Sequence, residues 1–337
     1  MKKYRIGVIG AAGLVGKEIL QVLADREFPV GELRLFTKAK SVGEKVTFCN
    51  ETHIIEPASL DRLRGCDIAF FAGGDQASEE YACQLADSGT MVIDNSNTFR
   101  LNNDVPLVVP EVNPYAVQNH RGIIANPNCS TIQMVVALKP IQVKAGLSRV
   151  IVTTFQSVSG TGKEAVEELV TQTKSVLSDK SITQNVYPHQ IAFNLIPQIG
   201  SFSTDGFCEE EWKLMLETRK ILEMPDLPIT ATTVRIPVIR SHSESLYVET
   251  KIPIPVETIQ TLYLQSPGVK LIDEPEKNKY PMPVFADGTD AVFVGRIRRD
   301  PYIPTGIHLW VVADNLRKGA ALNAVQIAEL ITANVYA

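Results

Sequence analysis

The chain has 337 residues, which exceeds one typical hydrophobic core and predicts two domains. Apolar residues make up 45% and charged residues 21%, as in ordinary soluble globular proteins. The net charge of −5, without a long basic run, argues against nucleic acid or anionic membrane as the main partner. Five cysteines in no paired spacing predict neither a disulfide framework nor a metal site. Because no signal peptide or membrane-spanning run is visible, we expect a cytoplasmic protein.

A glycine-rich turn follows the first predicted strand. The apolar run Tyr4–Ile9 leads into Gly10, Gly13 and Gly16, and an amphipathic helix continues to Leu23. Glycine permits the dihedral angles of such a turn and lets the backbone approach a pyrophosphate at the helix N-terminus. We therefore predict that this turn binds a dinucleotide, although a purely structural tight turn has the same pattern.

The residues after the second predicted strand, Glu32–Phe36, bear on which dinucleotide binds. An NAD site usually offers an acidic residue there to the ribose hydroxyls, whereas a 2′-phosphate needs hydroxyl and cationic groups. The chain has Thr37-Lys38-Ala39-Lys40-Ser41 at this place. This favours NADP, with a solvated lysine-rich loop as the alternative.

Strands and helices alternate through the first third of the chain. Further strands are predicted at Ile68–Phe71, Met91–Asp94 and Leu107–Pro110, and a helix at Asp75–Asp87. This order predicts a Rossmann-like, doubly wound parallel sheet. Ligands of such a sheet bind at the carboxyl ends of its strands, where Gly73 lies.

The pattern changes after residue 127. The run Val150–Gln156 predicts a strand, and the alternation in Ser245–Thr250 predicts an antiparallel strand with one solvated face. We predict an α+β domain with a mixed sheet at 128–317. The nucleotide-binding domain at 1–127 is predicted to be completed by a C-terminal helix at 318–337.

A lone cysteine lies where an extended loop turns into a helix, in Asn126-Pro127-Asn128-Cys129. Asn128 is a good N-cap, and we predict a helix from Cys129 to Leu138 that Pro140 stops. Unsatisfied N–H groups and the helix dipole favour a thiolate in a first turn. Cys129 is therefore predicted to be a nucleophile, the alternative being a small buried core residue.

A nucleotide-binding sheet followed by such a cysteine indicates oxidation or reduction at the aldehyde or acyl level through a thioester. This chemistry needs an acid/base group, most simply a histidine. Among the five histidines, His242 stands between serines after an arginine-bearing strand. It is the candidate base, although an ordinary loop histidine would have the same surroundings.

Seven sequence blocks, in order over essentially the whole chain, resemble aspartate-β-semialdehyde dehydrogenase. The cysteine, glutamine and arginine–histidine blocks together are highly specific, whereas the glycine turn alone is not. The blocks are Gly10-Ala-Ala-Gly-Leu-Val-Gly16, Asp94-Asn-Ser96 with Phe99-Arg100, Asn126-Pro-Asn-Cys-Ser-Thr131, Gln156-Ser-Val-Ser-Gly160, Glu210-Glu-Trp-Lys213, Arg235-Ile-Pro-Val-Ile-Arg-Ser-His242 and Asp314-Asn-Leu-Arg-Lys-Gly-Ala-Ala-Leu-Asn323.

The resemblance implies reduction of L-4-aspartyl phosphate by NADPH to L-aspartate 4-semialdehyde and phosphate. This reaction lies on the route to lysine, threonine, methionine and isoleucine. The resemblance also implies a homodimer, in which residues 128–317 act as a catalytic and dimerisation domain. The sequence leaves open whether two dimers pair into a tetramer.

The resemblance further implies a role for each matching residue. Cys129 would form the acyl thioester, His242 would be the acid/base, and Gln156 would orient the acyl group. Arg235 would bind the substrate α-carboxylate and Glu211 the α-ammonium group. The phosphate would be held by Arg100, Asn128 and Lys213. The cofactor would be bound by Gly10, Ala12, Gly13, Leu14, Val15, Thr37, Lys40, Ser41, Gly73, Ser159, Gly160 and Asn315.

Three other functions compete with this interpretation. N-acetyl-glutamyl-phosphate reductase shares the architecture, but the acetylated nitrogen of its substrate is uncharged and would not need Glu211. An acyl-CoA reductase of similar fold would use Arg100 and Lys213 for a different ligand. A cofactor-binding paralogue without catalysis would have no need for Cys129 or His242.

Overall fold

In the computed structural model, residues 2–38 and 40–333 are described. They fall into two compact units, the first within residues 1–128 and 320–337 and the second Cys129–Gly319. Within the described ranges, no helix combines the length and the hydropathy needed to cross a bilayer.

The helices and strands are named in chain order. The strands are β1 Tyr4–Ile9, β2 Val30–Thr37, β3 Lys45–Phe48, β4 Glu51–Pro57, β5 Ile68–Phe71, β6 Met91–Asp94, β7 Ile123–Ala125, β8 Leu147–Gln156, β9 Ile229–Arg235, β10 His242–Thr250, β11 Val269–Leu271, β12 Val292–Arg299 and β13 Gly306–Ala313. The α-helices are α1 Leu14–Asp25, α2 Leu60–Leu63, α3 Asp75–Asp87, α4 Cys129–Ala145, α5 Lys163–Leu177, α6 Glu209–Ile221, α7 Val256–Gln265, α8 Pro283–Ala286 and α9 Leu322–Thr332.

The first unit is built on a twisted sheet with the strand order β3-β4-β2-β1-β5-β6-β7. Every neighbouring pair is parallel except β3 and β4, which form an antiparallel hairpin. Helices α1 and α9 pack on this sheet and contribute to its hydrophobic core. This unit confirms the predicted Rossmann-like, doubly wound fold.

One sequence prediction for the first sheet was wrong, and one hairpin was not predicted. The segment Leu107–Pro110 is not a strand, because it makes only an isolated bridge from Leu107 to Ala125. The edge position next to β6 is taken by β7 instead. The β3–β4 hairpin was not predicted, because its alternating residues carry no distinctive apolar face.

The second unit contains a mixed sheet with the strand order β11-β12-β13-β10-β8-β9. Strand β10 is antiparallel to both β8 and β13, whereas β8 and β9 are parallel. The pattern of Ser245–Thr250 is therefore confirmed as part of an antiparallel strand, and so is the predicted mixed sheet. Helix α4 packs against β8, β10, β12 and β13 and against α6 and α7.

Helix α4 does not stop at Pro140, which corrects the predicted end. Proline removes one backbone N–H donor and crowds the carbonyl four residues earlier, at a cost of about 3 kcal/mol. The helix nevertheless continues to Ala145, with Ile141 and Ala145 both buried. Burial of Ile141 offsets much of this cost, since a fully buried isoleucine side chain contributes about 1.5–3 kcal/mol.

Candidate active site

One edge of the second sheet gathers the ends of four strands. The parallel strands β8 and β9 end at Gln156 and Arg235, which are register partners. Antiparallel β10 begins beside them at His242, opposite Ala313 at the end of β13. The pairing and register of these strands therefore bring Gln156, Arg235 and His242 to one edge of the sheet.

Cys129 is the first residue of α4 and is partly exposed. A Cβ added to Gly319 would lie 3.0 Å from the Cys129 Cβ, so the two residues are in contact. The Gly319 N–H donates to the Asp314 carbonyl (2.9 Å), and Asp314 follows directly after β13. The cysteine thus lies beside the segment that leaves the sheet at the same edge as His242.

His242 is fully buried, and its two ring nitrogens have different surroundings. Nδ1 accepts the backbone N–H of Ser157 at 3.0 Å, whereas Nε2 has no partner among the described residues. The fixed N–H donor assigns the ring proton of the neutral form to Nε2. Burial, with the Arg235 guanidinium adding to it, holds the pKa of His242 well below 6.5.

Ser157, for which no role was predicted from the sequence, contacts both His242 and Arg235. Its carbonyl accepts a hydrogen bond from Arg235 Nη1 (2.7 Å), and its Oγ lies 3.1 Å from His242 Nδ1. Oγ also donates to Asn315 Oδ1 (3.1 Å). One residue therefore orients both the histidine and the arginine. Its position next to Gln156 in the matching block was the available signal.

We expect the depressed pKa of His242 to make the protein less stable in acid. The unfolded chain takes up a proton as the pH falls through about 6.5, whereas the folded histidine does not, so stability is lost below that pH. In His242→Asn, the amide oxygen can accept the Ser157 N–H without titrating. The melting temperature of wild type should fall faster than that of His242→Asn between pH 7 and pH 5. If the melting temperatures of the two proteins fell equally with pH, a depressed pKa of His242 would be contradicted.

Gly160 and Arg235 line the space next to His242. A Cβ added to Gly160 would lie 3.1 Å from Arg235 Nη1 and 3.2 Å from His242 Nε2. The guanidinium of Arg235 also lies 6.0 Å from the ring centre of Tyr187, whose hydroxyl donates to Thr161 Oγ1 (2.9 Å). Glycine at position 160 therefore lets the backbone lie this close to both the Arg235 guanidinium and His242 Nε2.

The structure does not support the predicted role of Glu211. Its two carboxylate oxygens accept the backbone N–H groups of Cys208 (2.8 Å) and Thr233 (2.9 Å), so Glu211 caps α6 and anchors it to β9. The preceding residue, Glu210, instead accepts a hydrogen bond from Gln156 Nε2 (3.2 Å).

Glu210 also connects Gln156 to Lys213. The Lys213 ammonium lies 3.7 Å from Glu210 Oε2 and 2.8 Å from Glu209 Oε1. Residues three or four apart share a helix face, whereas Glu211 and Lys213 are only two apart. That spacing rule was the signal for Glu210 in the sequence.

The other residues predicted to hold phosphate lie in the first unit. Arg100 is buried, and its guanidinium donates to the carbonyls of Asn126 (2.9 Å) and Asn95 (2.8 Å) and to Asn97 Oδ1 (3.0 Å). Asn128 is buried at the end of this unit. Arg100 therefore has a structural function in holding these loops, and the phosphate-binding roles of Arg100, Asn128 and Lys213 stay predictions.

The glycine turn of the first unit fits a dinucleotide. Gly10 has a φ of +84°, and a Cβ there would lie 2.4 Å from the Ala72 carbonyl oxygen. Helix α1 begins at Leu14 after Ala12 and Gly13, with no side-chain N-cap and no acidic residue in its first turn. Its first N–H groups and positive dipole end are therefore suited to a pyrophosphate.

The lysine-rich loop after β2 is only partly described, because Ala39 lies outside the described residues. Lys38 forms an ion pair with Glu80 (2.7 Å), whereas Lys40 is exposed and Thr37 and Ser41 are half-buried. Lys40 is thus the cation of this loop that matches the prediction for a 2′-phosphate.

The remaining cofactor candidates are spread over both units. Gly73 follows β5, and Leu14 and Val15 open α1 in the first unit. Ser159 and Asn315 are buried in the second unit, where Ser159 Oγ donates to Asn315 Oδ1 (3.2 Å) and the Ser241 N–H donates to the same oxygen (2.8 Å). Asn315 therefore anchors the loop before His242, and its contact with the cofactor stays a prediction.

Comparisons with known proteins agree with this arrangement. Residues 5–120 match the family described as semialdehyde dehydrogenase, NAD binding domain, and residues 138–318 match semialdehyde dehydrogenase, dimerisation domain. The aspartate-semialdehyde dehydrogenase of Aquifex aeolicus is 50% identical over 332 residues, which cover 97% of this chain and 98% of the relative.

Solved structures give the same result. Aspartate semialdehyde dehydrogenase II from Vibrio cholerae, complexed with ASA, is 44% identical with a TM-score of 0.96 and full coverage of both chains. The enzyme with NADP from Candida albicans is 25% identical with a TM-score of 0.76, covering 98% of this chain and 99% of that one. The family matches, the relatives and the fold agree with the cysteine, histidine, glutamine and arginine found in the second unit. The chain belongs to the aspartate-semialdehyde dehydrogenase family.

Proposed function

We propose that this chain catalyses the reversible, NADPH-dependent conversion of L-4-aspartyl phosphate to L-aspartate 4-semialdehyde and phosphate, in the synthesis of lysine, threonine, methionine and isoleucine. The observation that best supports this proposal is that Gln156, Arg235 and His242 lie together at one edge of the second sheet. They lie beside the segment that contacts Cys129. The related structures with ASA and with NADP support the same substrate and cofactor.

The chemistry follows from the positions of the side chains in the second unit. The Cys129 sulfur, favoured as a thiolate at the start of α4, attacks the acyl carbonyl, and phosphate leaves. The acyl group is then a thioester on Cys129. NADPH, when bound, supplies the hydride for its reduction. The C–S bond then breaks, which releases the aldehyde and returns the sulfur of Cys129.

His242 serves the oxygen of the reacting carbonyl. Its Nε2 carries the proton because Nδ1 accepts the Ser157 N–H. A buried N–H donor that has no partner among the residues described stabilises negative charge that develops on a substrate oxygen. The same nitrogen is the atom through which His242 acts as the acid/base of the reaction.

Substrate recognition is assigned to the charged residues on either side of Gln156. Arg235 pairs with the α-carboxylate, for which a planar guanidinium offers two parallel hydrogen bonds. Glu210, in place of Glu211, pairs with the α-ammonium group. Glu210 is buried and bonded to Gln156, the residue proposed to orient the acyl group.

The two neighbouring glutamates provide a matched pair of variants. Glu210→Gln removes the charge that faces the substrate ammonium, so KM for aspartate 4-semialdehyde should rise about ten- to a hundred-fold. Glu211→Gln leaves one of two backbone N–H groups without an acceptor, so the free energy of unfolding should fall by about 1–2 kcal/mol with little change in KM. Steady-state kinetics and thermal unfolding of both variants measure this. The reverse result would return the ammonium site to Glu211.

The assembly is proposed to be a homodimer formed by the second unit, since residues 138–318 match a dimerisation domain. Pairing of dimers into a tetramer stays a prediction. In the first unit, the glycine turn supports binding of a dinucleotide, and Lys40 supports NADP over NAD.

The direct test follows NADPH production at alkaline pH from L-aspartate 4-semialdehyde, with and without inorganic phosphate. Turnover that requires phosphate supports the proposed reaction. Oxidation without phosphate would indicate a different second nucleophile, and turnover only of N-acetyl-glutamate semialdehyde would indicate the neighbouring reductase. Binding of NADP without any turnover would favour the non-catalytic paralogue.

A further inference from the structure

Two buried polar side chains lie one layer deeper than the catalytic residues, one on strand β10 and one on helix α4. Glu244 is two residues after His242 on β10, and side chains two apart on a strand point to the same face. Gln133 is four residues after Cys129 on α4, and side chains four apart on a helix also share a face. Helix α4 packs against β10, so Gln133 and Glu244 are the next layer beneath Cys129 and His242.

Both side chains are completely buried, with no exposed surface on either residue. Gln133 Nε2 and Oε1 and both carboxyl oxygens of Glu244 are without a hydrogen-bond partner among the described residues. Buried polar groups are nearly always hydrogen-bonded, so four such atoms in adjacent side chains require an explanation. Gln133 is also the side chain whose hydrogen-bonding groups act on the carboxyl of Glu244, which places the two groups close together.

The protonation state of Glu244 decides how these atoms can pair. Burial raises its pKa well above 4.5, and Gln133 only partly opposes this. A carboxyl group with no exposed surface is favoured in its neutral form, which offers one O–H donor and one carbonyl acceptor. A carboxamide presents one N–H donor and one carbonyl acceptor in the same arrangement. A carboxylic acid and a carboxamide are consequently complementary and can form two parallel hydrogen bonds.

We propose that Glu244 and Gln133 form a neutral acid–amide pair that positions the first turn of α4, and with it Cys129, against His242. The pair is a positioning element, because neither residue is required to touch the substrate. The consequence for turnover rests on the proposed function of Cys129 and His242, whereas the pairing itself does not.

The decisive experiment exchanges the two groups. Gln133→Glu places two carboxyl groups in one apolar layer, where one of them ionises and leaves a buried negative charge. Its kcat should fall about a hundred-fold, as expected for a small displacement of a catalytic group. Adding Glu244→Gln restores an acid–amide pair in the opposite orientation, and most of the lost kcat should return. KM for aspartate 4-semialdehyde should change little in either variant.

Three further measurements separate positioning from a general loss of structure. The rate of Cys129 alkylation by iodoacetamide in the folded protein should follow kcat in both variants, while thermal unfolding remains cooperative. Ser243→Ala is the matched control, since Ser243 lies between His242 and Glu244 in β10 but its side chain faces the other side of the sheet. Isotope-edited infrared spectra should show a protonated carboxyl band that Glu244→Gln removes.

The proposal is overturned if the double variant is no more active than Gln133→Glu alone, or if no protonated carboxyl band is present at neutral pH. The alkylation rate tests the pair even if wild type fails to turn over aspartate 4-semialdehyde. A failure of the proposed function is therefore distinguishable from a failure of the pairing.

Discussion

Replacing Cys129 by alanine is expected to lower kcat by about four orders of magnitude or more, because the acyl thioester can no longer form. His242 and Arg235 remain in place, since their contacts run through Ser157 and not through the cysteine. Binding of NADPH, measured by fluorescence, should stay unchanged because the glycine turn belongs to the other unit.

Cys83 provides the control for this prediction. It is exposed on α3 in the first unit, and no role is assigned to it. Cys83→Ala should keep full activity and remain sensitive to iodoacetamide, whereas Cys129→Ala should be inactive from the start. Appreciable turnover by Cys129→Ala would exclude a thioester on this residue and reopen the question of the nucleophile.

Arg235→Ala is expected to lower kcat/KM for L-aspartate 4-semialdehyde about a thousand-fold, or about 4 kcal/mol, the value of two charged hydrogen bonds to a carboxylate. The side chain is 5% exposed, and its Nη1 already donates to the Ser157 carbonyl. Removing it therefore leaves both the substrate carboxylate and this carbonyl without their donor. Arg235→Lys keeps the charge but loses the planar fork, so it should recover only part of the loss.

A substrate without the carboxylate tests whether Arg235 acts on that group. Wild type should discriminate strongly against 3-aminopropanal, and Arg235→Ala should discriminate little, because the two changes remove the same interaction. The arginine also helps to depress the pKa of His242, so that pKa should rise in Arg235→Ala. Equal discrimination by both proteins would place the carboxylate elsewhere.

Local patterns were sufficient where neighbouring residues decide the structure. The strand, glycine turn and helix from Tyr4 to Leu23 were predicted from glycine chemistry and apolar periodicity, and the helix extends two residues further, to Asp25. Helix α3 begins and ends where its pattern indicated. The same patterns misplaced the end of α4 and the strand next to β6. In both cases packing outweighed the local signal, through burial beyond Pro140 and through pairing of β6 with Ile123–Ala125.

By itself, the sequence determined the family and the two-domain α/β class. It also predicted the residues with reactive groups, because glycine, cysteine and histidine act through their own chemistry. Only the tertiary structure decided which neighbours those groups have. Glu210 and Glu211 are chemically identical, and the direction each points depends on the contacts of α6 with β8 and β9. Ser157 and Glu244 gained their positions from strand register, which joins residues far apart in the chain.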